Sequence, residues 1–471
     1  MKRFKRCLSM LMCILLLITC LPIPTAQAAV TPPDYVKVGL YYGSEGLASA
    51  NLQNRTGYGS GYTYGTLDAY GNLNYYGTLN AVEITVHPSG SSGFQITETT
   101  SGALLASVDF GGQDLFIVPT ADSIEKTQTW FKGYTYYGSF LYHRNSYGTL
   151  NVINYVELED YIKGVIPYEM NNEWPYEALR AQALAARSYT VATMGDHRSD
   201  GFDLCNTTDC QVYYGTNRAT DHTDAAVDAV SGLYVLYDGE ICQTYYHSTS
   251  GGHTEDVKNI WGREIPYLKG VEDTYLQVFY PFTYTLTLDD ITWILKNKGY
   301  INENVTDLYV SEFSPSGNVI GLTAVLESGK TKVFSGDKAR TALNSPTKGI
   351  SIGSHRYTIN GVGADGTGVN INGTAVSGSN LFAIGGNREI YALPSSGLFA
   401  LTAQGVQEIQ LSDKPVMEVP EGTFVISGTG SGHNIGMSQW GAHAMANLGF
   451  TYEDIIKFYF TGVTVDYYTG N

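Results

Sequence analysis

Three stretches of the sequence concentrate the groups that can do chemistry. The first runs from Tyr155 to Tyr189 and holds Glu157, Glu159, Glu169, Glu173, Glu177, Gln182, Arg187 and Tyr189. The second is Tyr245-Tyr246-His247-Ser248-Thr249-Ser250-Gly251-Gly252-His253-Thr254-Glu255, and the third runs from Gly428 to Ala442 through His433-Asn434-Ile435-Gly436-Met437-Ser438-Gln439. Each sets Gly beside polar or His residues, the composition of a chain whose backbone must approach a ligand closely. Tyr246, His247, Ser248, His433 and Gln439 are Gly-flanked and are the candidates to line a cleft. A carboxyl group of the first stretch can serve as a general acid. Local spacing does not separate Glu169 from Glu173 or Glu177, and a Glu taken at random is far more often a solvated surface charge. Gln182 and Tyr189 lie seven apart, as do Arg180 and Arg187, so each pair falls on one face of a helix. Buried Gln and Arg in such a helix either meet a ligand or form an internal polar network.

Other chemistries lack their signatures. There is no Gly-rich phosphate loop, no H-E-x-x-H and no G-x-S-x-G, so nothing suggests a nucleotide or a redox cofactor. With 28 Lys+Arg against 45 Asp+Glu, a net charge of −17 and a pI near 4.9, the chain is not a nucleic-acid binder. Cys205 and Cys210 flank Asn-Thr-Thr-Asp. Their leading reading in an exported protein is a small disulfide. The other readings are a metal site completed by a His such as His197 or His253, with zinc the metal to expect, and free thiols. Cys242 sits in an apolar strand context and is expected to be a buried free thiol.

These groups need elements to hold them. Lys2, Arg3, Lys5 and Arg6, the apolar run Leu8 to Leu21 and Ala26-Gln27-Ala28 read as a signal peptide over residues 1–28, with the mature chain starting at Ala29. A lipid-modified Cys20 is the alternative start. No later stretch is apolar enough for a membrane helix, so the expectation is an exported chain without a membrane span. Cleavage removes Cys7, Cys13 and Cys20 and leaves three cysteines, too few and odd for a disulfide framework.

Residues 29–150 read as a β-rich domain. Tyr35–Leu40, Val82–Val86 and Leu115–Val118 have strand patterns, and the Tyr-Gly-Thr-Leu copies at Tyr64 and Tyr76 read as successive hairpin strands. The 37 tyrosines suit strand packing, with a stacking platform for sugar rings as the sharper alternative. Glu157–Tyr161 reads as a short helix broken by Pro167. A long helix opens at Trp174-Pro175, runs through the alanine-rich stretch to Met194 and stops at Gly195. Mixed strands are expected to about Ala342. A Gly-rich β insertion then spans 358–415, and the chain returns to helix after a Thr451–Asp454 capping box. The fold class expected is α+β, a helical catalytic core (151–357 with 416–471) flanked by the β-rich N-terminal domain and the insertion.

Taken together, the three stretches resemble the SpoIID/LytB family of bacterial cell-wall proteins. Tyr161-Ile162-Lys163-Gly164-Val165-Ile166-Pro167-Tyr168-Glu169-Met170, His247-Ser248-Thr249-Ser250-Gly251-Gly252 and Gly432-His433-Asn434-Ile435-Gly436-Met437-Ser438-Gln439-Trp440-Gly441-Ala442 carry the resemblance. It extends over roughly Val36 to Val465. Asn434 stands where the family pattern has Gly, and Asp209 where it often has His. The resemblance implies a lytic transglycosylase acting on peptidoglycan glycan strands stripped of their peptides, in cell-wall remodelling for sporulation, division or growth. It places the catalytic acid/base on Glu169. It gives Gln182, Arg187, Tyr189, Tyr246, His247, Ser248, His433 and Gln439 the role of orienting that group or gripping the sugar. The alternative it admits is a non-catalytic amidase enhancer with a cell-wall amidase as partner, and retention of Glu169 within a full-length first stretch favours the enzyme over it. A wall-binding adhesin is the third reading.

Overall fold

The structure is a computed structural model that describes residues 32–55, 59–68, 70–121, 126–361 and 419–470, with only the backbone of short strands between 368 and 409. The expected signal peptide lies outside the described residues, as do the side chains of most of the expected insertion. Alternating strand sequences build the N-terminal region: β1 (Tyr35–Tyr41), β2 (Ala50–Asn54), β3 (Gly61–Leu67), β4 (Leu73–Leu79), β5 (Glu83–Ser89), β6 (Gly93–Glu98), β7 (Leu104–Val108), β8 (Leu115–Thr120), β9 (Thr129–Phe131), β10 (Tyr134–Tyr136), β11 (Ser139–Arg144) and β12 (Leu150–Glu157). With β13 (Leu204–Cys205) they form a seven-stranded sheet of order β13-β1-β12-β11-β8-β3-β4 and a six-stranded sheet of order β10-β9-β2-β5-β6-β7. The two Tyr-Gly-Thr-Leu copies fall in β3 and β4, which pair antiparallel as expected. Period-two alternation sends Leu115 and Ile117 into the main core, where they join Val36, Val38, Leu52, Ile84 and Phe94. Phe116, Leu141 and Ile153 face the other way and are covered by Phe202 and Cys205.

Strand β12 runs directly into α1 (Leu158–Glu169). The short helix expected before Pro167 is longer than the sequence suggested. Pro167 has no N–H for the carbonyl four residues back, but only the last turn feels the loss, and the helix ends at Glu169. Helix α2 (Tyr176–Thr193) is capped by Pro175 and followed by Gly195 at φ +89°, close to its expected limits. Its alanines Ala178, Ala181, Ala183, Ala185 and Ala186 are all buried, so α1, α3 (Asp221–Asp228), α7 (Gln439–Asn447) and α8 (Tyr452–Tyr459) pack closely around it. Helix α8 has the capping box read from Thr451 and Asp454.

Arg187 on α2 corrects one expectation. Its side chain is fully buried and faces α1, where Nε and Nη2 donate to Glu159 Oε1 and Oε2 at 2.8 and 2.6 Å. Nη1 donates to the Val230 carbonyl beyond α3 at 2.8 Å. Arg187 is therefore a tie between helices, and none of its donors is left for a sugar.

Past α3 the chain forms β14 (Leu233–Tyr237), β15 (Glu240–Ile241), β16 (Tyr246–His247) and α4 (Val257–Trp261). A second hydrophobic core then gathers β17 (Pro281–Thr287), α5 (Leu288–Asn297), β18 (Val305–Phe313), β19 (Val319–Leu326), β20 (Thr331–Ser335), α6 (Asp337–Thr341), β21 (Tyr357–Ile359) and, from beyond the insertion, β28 (Thr423–Thr429). Leu286, Ile294, Leu322, Phe334 and Ile426 are among its buried members. Between β21 and β28, three hairpins pair β22 (Gly368–Ile371) with β23 (Thr374–Ser377), β24 (Phe382–Ile384) with β25 (Ile390–Ala392), and β26 (Leu398–Thr402) with β27 (Gly405–Ile409). The sequence reading expected strands here and missed α5, α6 and the separate core. Strands β29 (Met437–Ser438) and β30 (Thr464–Tyr467) complete the chain, which has both sheets and helices as an α+β protein should.

The tie between helices predicts that Glu159→Ala, which leaves the buried guanidinium without its counter-charge, lowers stability by about 3 kcal/mol or more in urea unfolding. A loss below about 1 kcal/mol would show that the pair does not hold α1 to α2.

Candidate active site

The site begins where α1 stops. Met170 leaves the helix with extended dihedrals, φ −125° and ψ 156°, so Glu169 is the last helical residue and its side chain projects beside the chain that follows. The carboxylate is gripped by two donors from distant parts of the sequence. Oε1 accepts the Val212 N–H at 3.2 Å, and Oε2 accepts Gln439 Nε2 at 3.3 Å. Tyr246 also faces the carboxylate, and its hydroxyl donates to Gln211 Oε1 at 2.8 Å. Burial pushes the Glu169 pKa above its ordinary value, and the Val212, Gln439 and Tyr246 contacts oppose that shift without cancelling it.

The second and third sequence stretches meet as strands. β16 pairs parallel with β29, Tyr246 opposite Met437 and His247 opposite Ser438. Ser438 then caps α7 by accepting the Gly441 N–H at 3.2 Å. That cap fixes Gln439, the first residue of α7, between Glu169 and Gln182, whose Oε1 lies 3.5 Å from Gln439 Nε2. Asn434, in place of the family's Gly, takes φ +65°, a left-handed conformation that Asn tolerates better than most residues. Its buried amide donates to the carbonyls of Ser250 at 2.7 Å and His253 at 3.3 Å and accepts the His355 N–H at 3.1 Å. One side chain thus joins the second stretch, the third stretch and the second core.

Glu255 makes a further joint. Its Oε2 accepts Ser314 and Ser316 hydroxyls at 2.6 Å and Asn318 Nδ2 at 2.9 Å. With the second core held in this way, α6 reaches the Glu169 side of the molecule. A cavity of about 540 Å³ lies there, lined by Glu169, Tyr189, Tyr246, His247, Ser248, His433 and Gln439 among the residues expected from the sequence. Gln182 lies behind Gln439, fully buried. Arg187 does not line the cavity. Val212, Tyr245, Trp261, Asp337 and Arg340 line it without having been expected.

Tyr189, Tyr245, Trp261 and His433 form a continuous aromatic wall, with neighbouring ring centroids 5.4, 4.7 and 5.2 Å apart. The two cavity histidines bond the two backbone groups of one residue, Ile435. His247 Nδ1 lies 3.1 Å from the Ile435 carbonyl and so carries the proton. His433 Nδ1 accepts the Ile435 N–H at 3.0 Å, which puts its proton on Nε2. His247 Nε2 is therefore an acceptor, and it has no partner among the described residues. Burial lowers the His247 pKa to about 4 and drives that of His433 down as well, so both rings are neutral near pH 7.

Cys205, Cys210 and Cys242 are free thiols, so the expected disulfide is not formed. β13 pairs with β1 and fixes Cys205, while Cys210 Sγ accepts the Cys205 N–H at 3.3 Å. Both sulfurs face His197 and Asp209. One donor atom from each of these four residues lies within 4.8 Å of the others. Two thiols, an imidazole and a carboxylate at that spacing fit a four-coordinate zinc. The second His197 nitrogen lies 3.6 Å from Asp200, an arrangement suited to orienting a metal-bound ring. His253, the other His weighed from sequence, bonds the Thr254 carbonyl elsewhere.

Known proteins share this arrangement of sequence. Residues 146–237, which carry β12, α1, α2, the cysteine loop and β14, match the family model described as Stage II sporulation protein, SpoIID. Residues 146–237 are thus similar to a SpoIID domain. An uncharacterised protein of Brachyspira hyodysenteriae is 29% identical over 338 residues, covering 71% of this chain and 73% of that protein. The protein named Amidase enhancer of Bacillus subtilis is 29% identical over 338 residues, covering 65% of this chain but only 40% of the relative. Stage II sporulation protein D of Bacillus subtilis is 27% identical over 328 residues, 66% of this chain and 74% of the relative. Among the described residues no helix is long and apolar enough to cross a membrane.

Proposed function

We propose that the protein acts on the bacterial cell wall as an exported lytic transglycosylase, with Glu169 as its single acid/base and peptidoglycan glycan strands as substrate. The observation that carries this reading is the contrast between carboxyl groups in one cavity. Glu169 is pushed up by burial, whereas the His355 ring and Arg340 hold Asp337 well below the usual carboxylate range. A carboxyl kept partly neutral in a cleft is what a general acid requires. Protonated Glu169 gives its proton to the glycosidic oxygen as the bond from that oxygen to C1 of the muramic acid breaks. The C6 hydroxyl of the same sugar bonds to C1 and returns its proton to Glu169. The products are a free hydroxyl on the leaving sugar and a 1,6-anhydro end, with no water consumed. Gln439 and the Val212 N–H stabilise the carboxylate formed midway. The aromatic wall offers sugar rings a stacking face, and His247 Nε2 accepts a hydroxyl or amide proton.

Zinc at His197, Cys205, Asp209 and Cys210 would fix the loop that carries Gln211 and Val212, and so the donors around Glu169 and Tyr246. The relative named Amidase enhancer supports a second reading, in which the protein assists a wall amidase without cutting glycans.

Protein beginning at residue 29 should hold one zinc per chain and, once stripped and denatured, titrate three thiols. A single thiol would restore the disulfide. Glu169→Gln should cut activity on peptide-free glycan strands by roughly 100-fold or more with the fold intact, and mass spectrometry should find 1,6-anhydro ends without heavy oxygen from labelled water. Labelled reducing ends would indicate a hydrolase, for which Asp209 and Asp337 are the other carboxylates in the cavity. Silence of both proteins on glycans, with both stimulating an amidase, would replace the enzyme reading by the enhancer.

A further inference from the structure

Among the described residues lining the cavity, Arg340 is the only Lys or Arg. It comes from α6 of the second core, not from the stretches that carry the family resemblance. A chain with a net charge of −17 has placed a cation in its catalytic cleft. Its setting is built. Arg340 Nε and Nη2 both donate to Asp337 Oδ1, at 3.3 and 2.9 Å, across one turn of α6. His355 lies beside Asp337, its Nε2 3.6 Å away and its Nδ1 held by the Val319 carbonyl at 2.8 Å. Gly336, at φ +58°, starts the helix against the Ile260 backbone, where a Cβ would meet the Ile260 carbonyl oxygen. The guanidinium plane is thus fixed by one edge.

The other edge is open. Nη1 makes no hydrogen bond to any described residue, although the side chain is only 19% exposed. A guanidinium fixed by a carboxylate behind it and open in front has lost most of its rotamer freedom before a ligand arrives, which favours binding of a planar anion. His433 Nε2–H, in the same cavity, is a second donor for that anion.

We propose that Arg340 forms a carboxylate-binding subsite in the catalytic cavity and selects glycans that present a carboxylate there. This rests on the glycan reading of the same site. Two sources on a muramic-acid strand have this chemistry, the lactyl carboxylate left when the peptide is gone and the carboxylates of a stem peptide still attached. The subsite is a specificity device, since Glu169 alone moves the proton. It gives the second core a function beyond support, because the residue that tests the charge of the substrate is carried by a separate hydrophobic unit.

The test is binding to the Glu169→Gln protein, which does not turn over. The probes are a GlcNAc–MurNAc tetrasaccharide with free lactyl carboxylates, its methyl ester, a chitin tetrasaccharide and the peptide-bearing tetrasaccharide. A free carboxylate should tighten binding roughly 10-fold or more over the ester. Adding Arg340→Met should erase that difference while the ester and chitin probes bind as before, which shows that the variant is folded. Arg340→Lys should keep part of it. Tightest binding by the stripped acid assigns the lactyl group, and tightest binding by the peptide-bearing probe assigns the stem, provided Arg340→Met abolishes the advantage. Equal binding of acid, ester and chitin by protein that retains Arg340, or a preference that survives Arg340→Met, would overturn the subsite and leave the glycan reading standing. Binding of no saccharide at all would overturn the glycan reading itself.

Discussion

A carboxyl group that is to give up a proton near neutral pH has to be dry enough to stay protonated and supported enough to survive as an anion a moment later. These demands conflict, because every donor that steadies the anion pulls the pKa down. At Glu169 the conflict is resolved by position. The group sits at the last residue of α1, where the helix ends and the cavity begins, and burial is the largest influence on it. The supporting donors are few, one backbone N–H from the cysteine loop and one amide from the start of α7, at 3.2 and 3.3 Å. Both come from elements that must be placed accurately to reach it.

Much of the rest of the molecule supplies that accuracy. The alanine face of α2 lets α1 and α7 come close, and Arg187 locks α1 to α2 from inside. Parallel pairing of β16 with β29 puts Tyr246 and Gln439 on the same side of Glu169. Asn434 and Glu255 fasten the second core to this unit through buried hydrogen bonds, which in a low dielectric favour one arrangement strongly over its neighbours. The cavity is therefore an interface between two cores, with the acid from one and the cation from the other.

Elements with strong local signals were legible in the sequence. The alanine-rich helix, the β3–β4 hairpin and the Thr451 capping box are cases in which propensity and pattern agree with the fold. Pro167, a strong local breaker, makes helix α1 read shorter in sequence than it is, yet a proline near the end of a helix costs little when the turn before it is packed. Thr287 and Asp290 form a capping box that announces α5, and the signal was present but unused. Eight of the site residues named from sequence, Cys210 among them, do line one cavity. Arg187 does not, since a shared helix face does not say which neighbour the face meets. Val212 was invisible because it contributes a backbone N–H, and Arg340 because a five-residue helix has no periodicity and its place depends wholly on tertiary packing.

The account stands on the protonation state of one side chain. With glutamate carboxyl carbons labelled, NMR titration of the wild-type protein, with Glu169→Gln assigning the resonance, reads that state directly. The structure predicts that Glu169 titrates above the ordinary glutamate value of 4.5. A midpoint at or below that value would mean that the carboxyl is an anion near neutral pH, and a general-acid role for Glu169 would be contradicted.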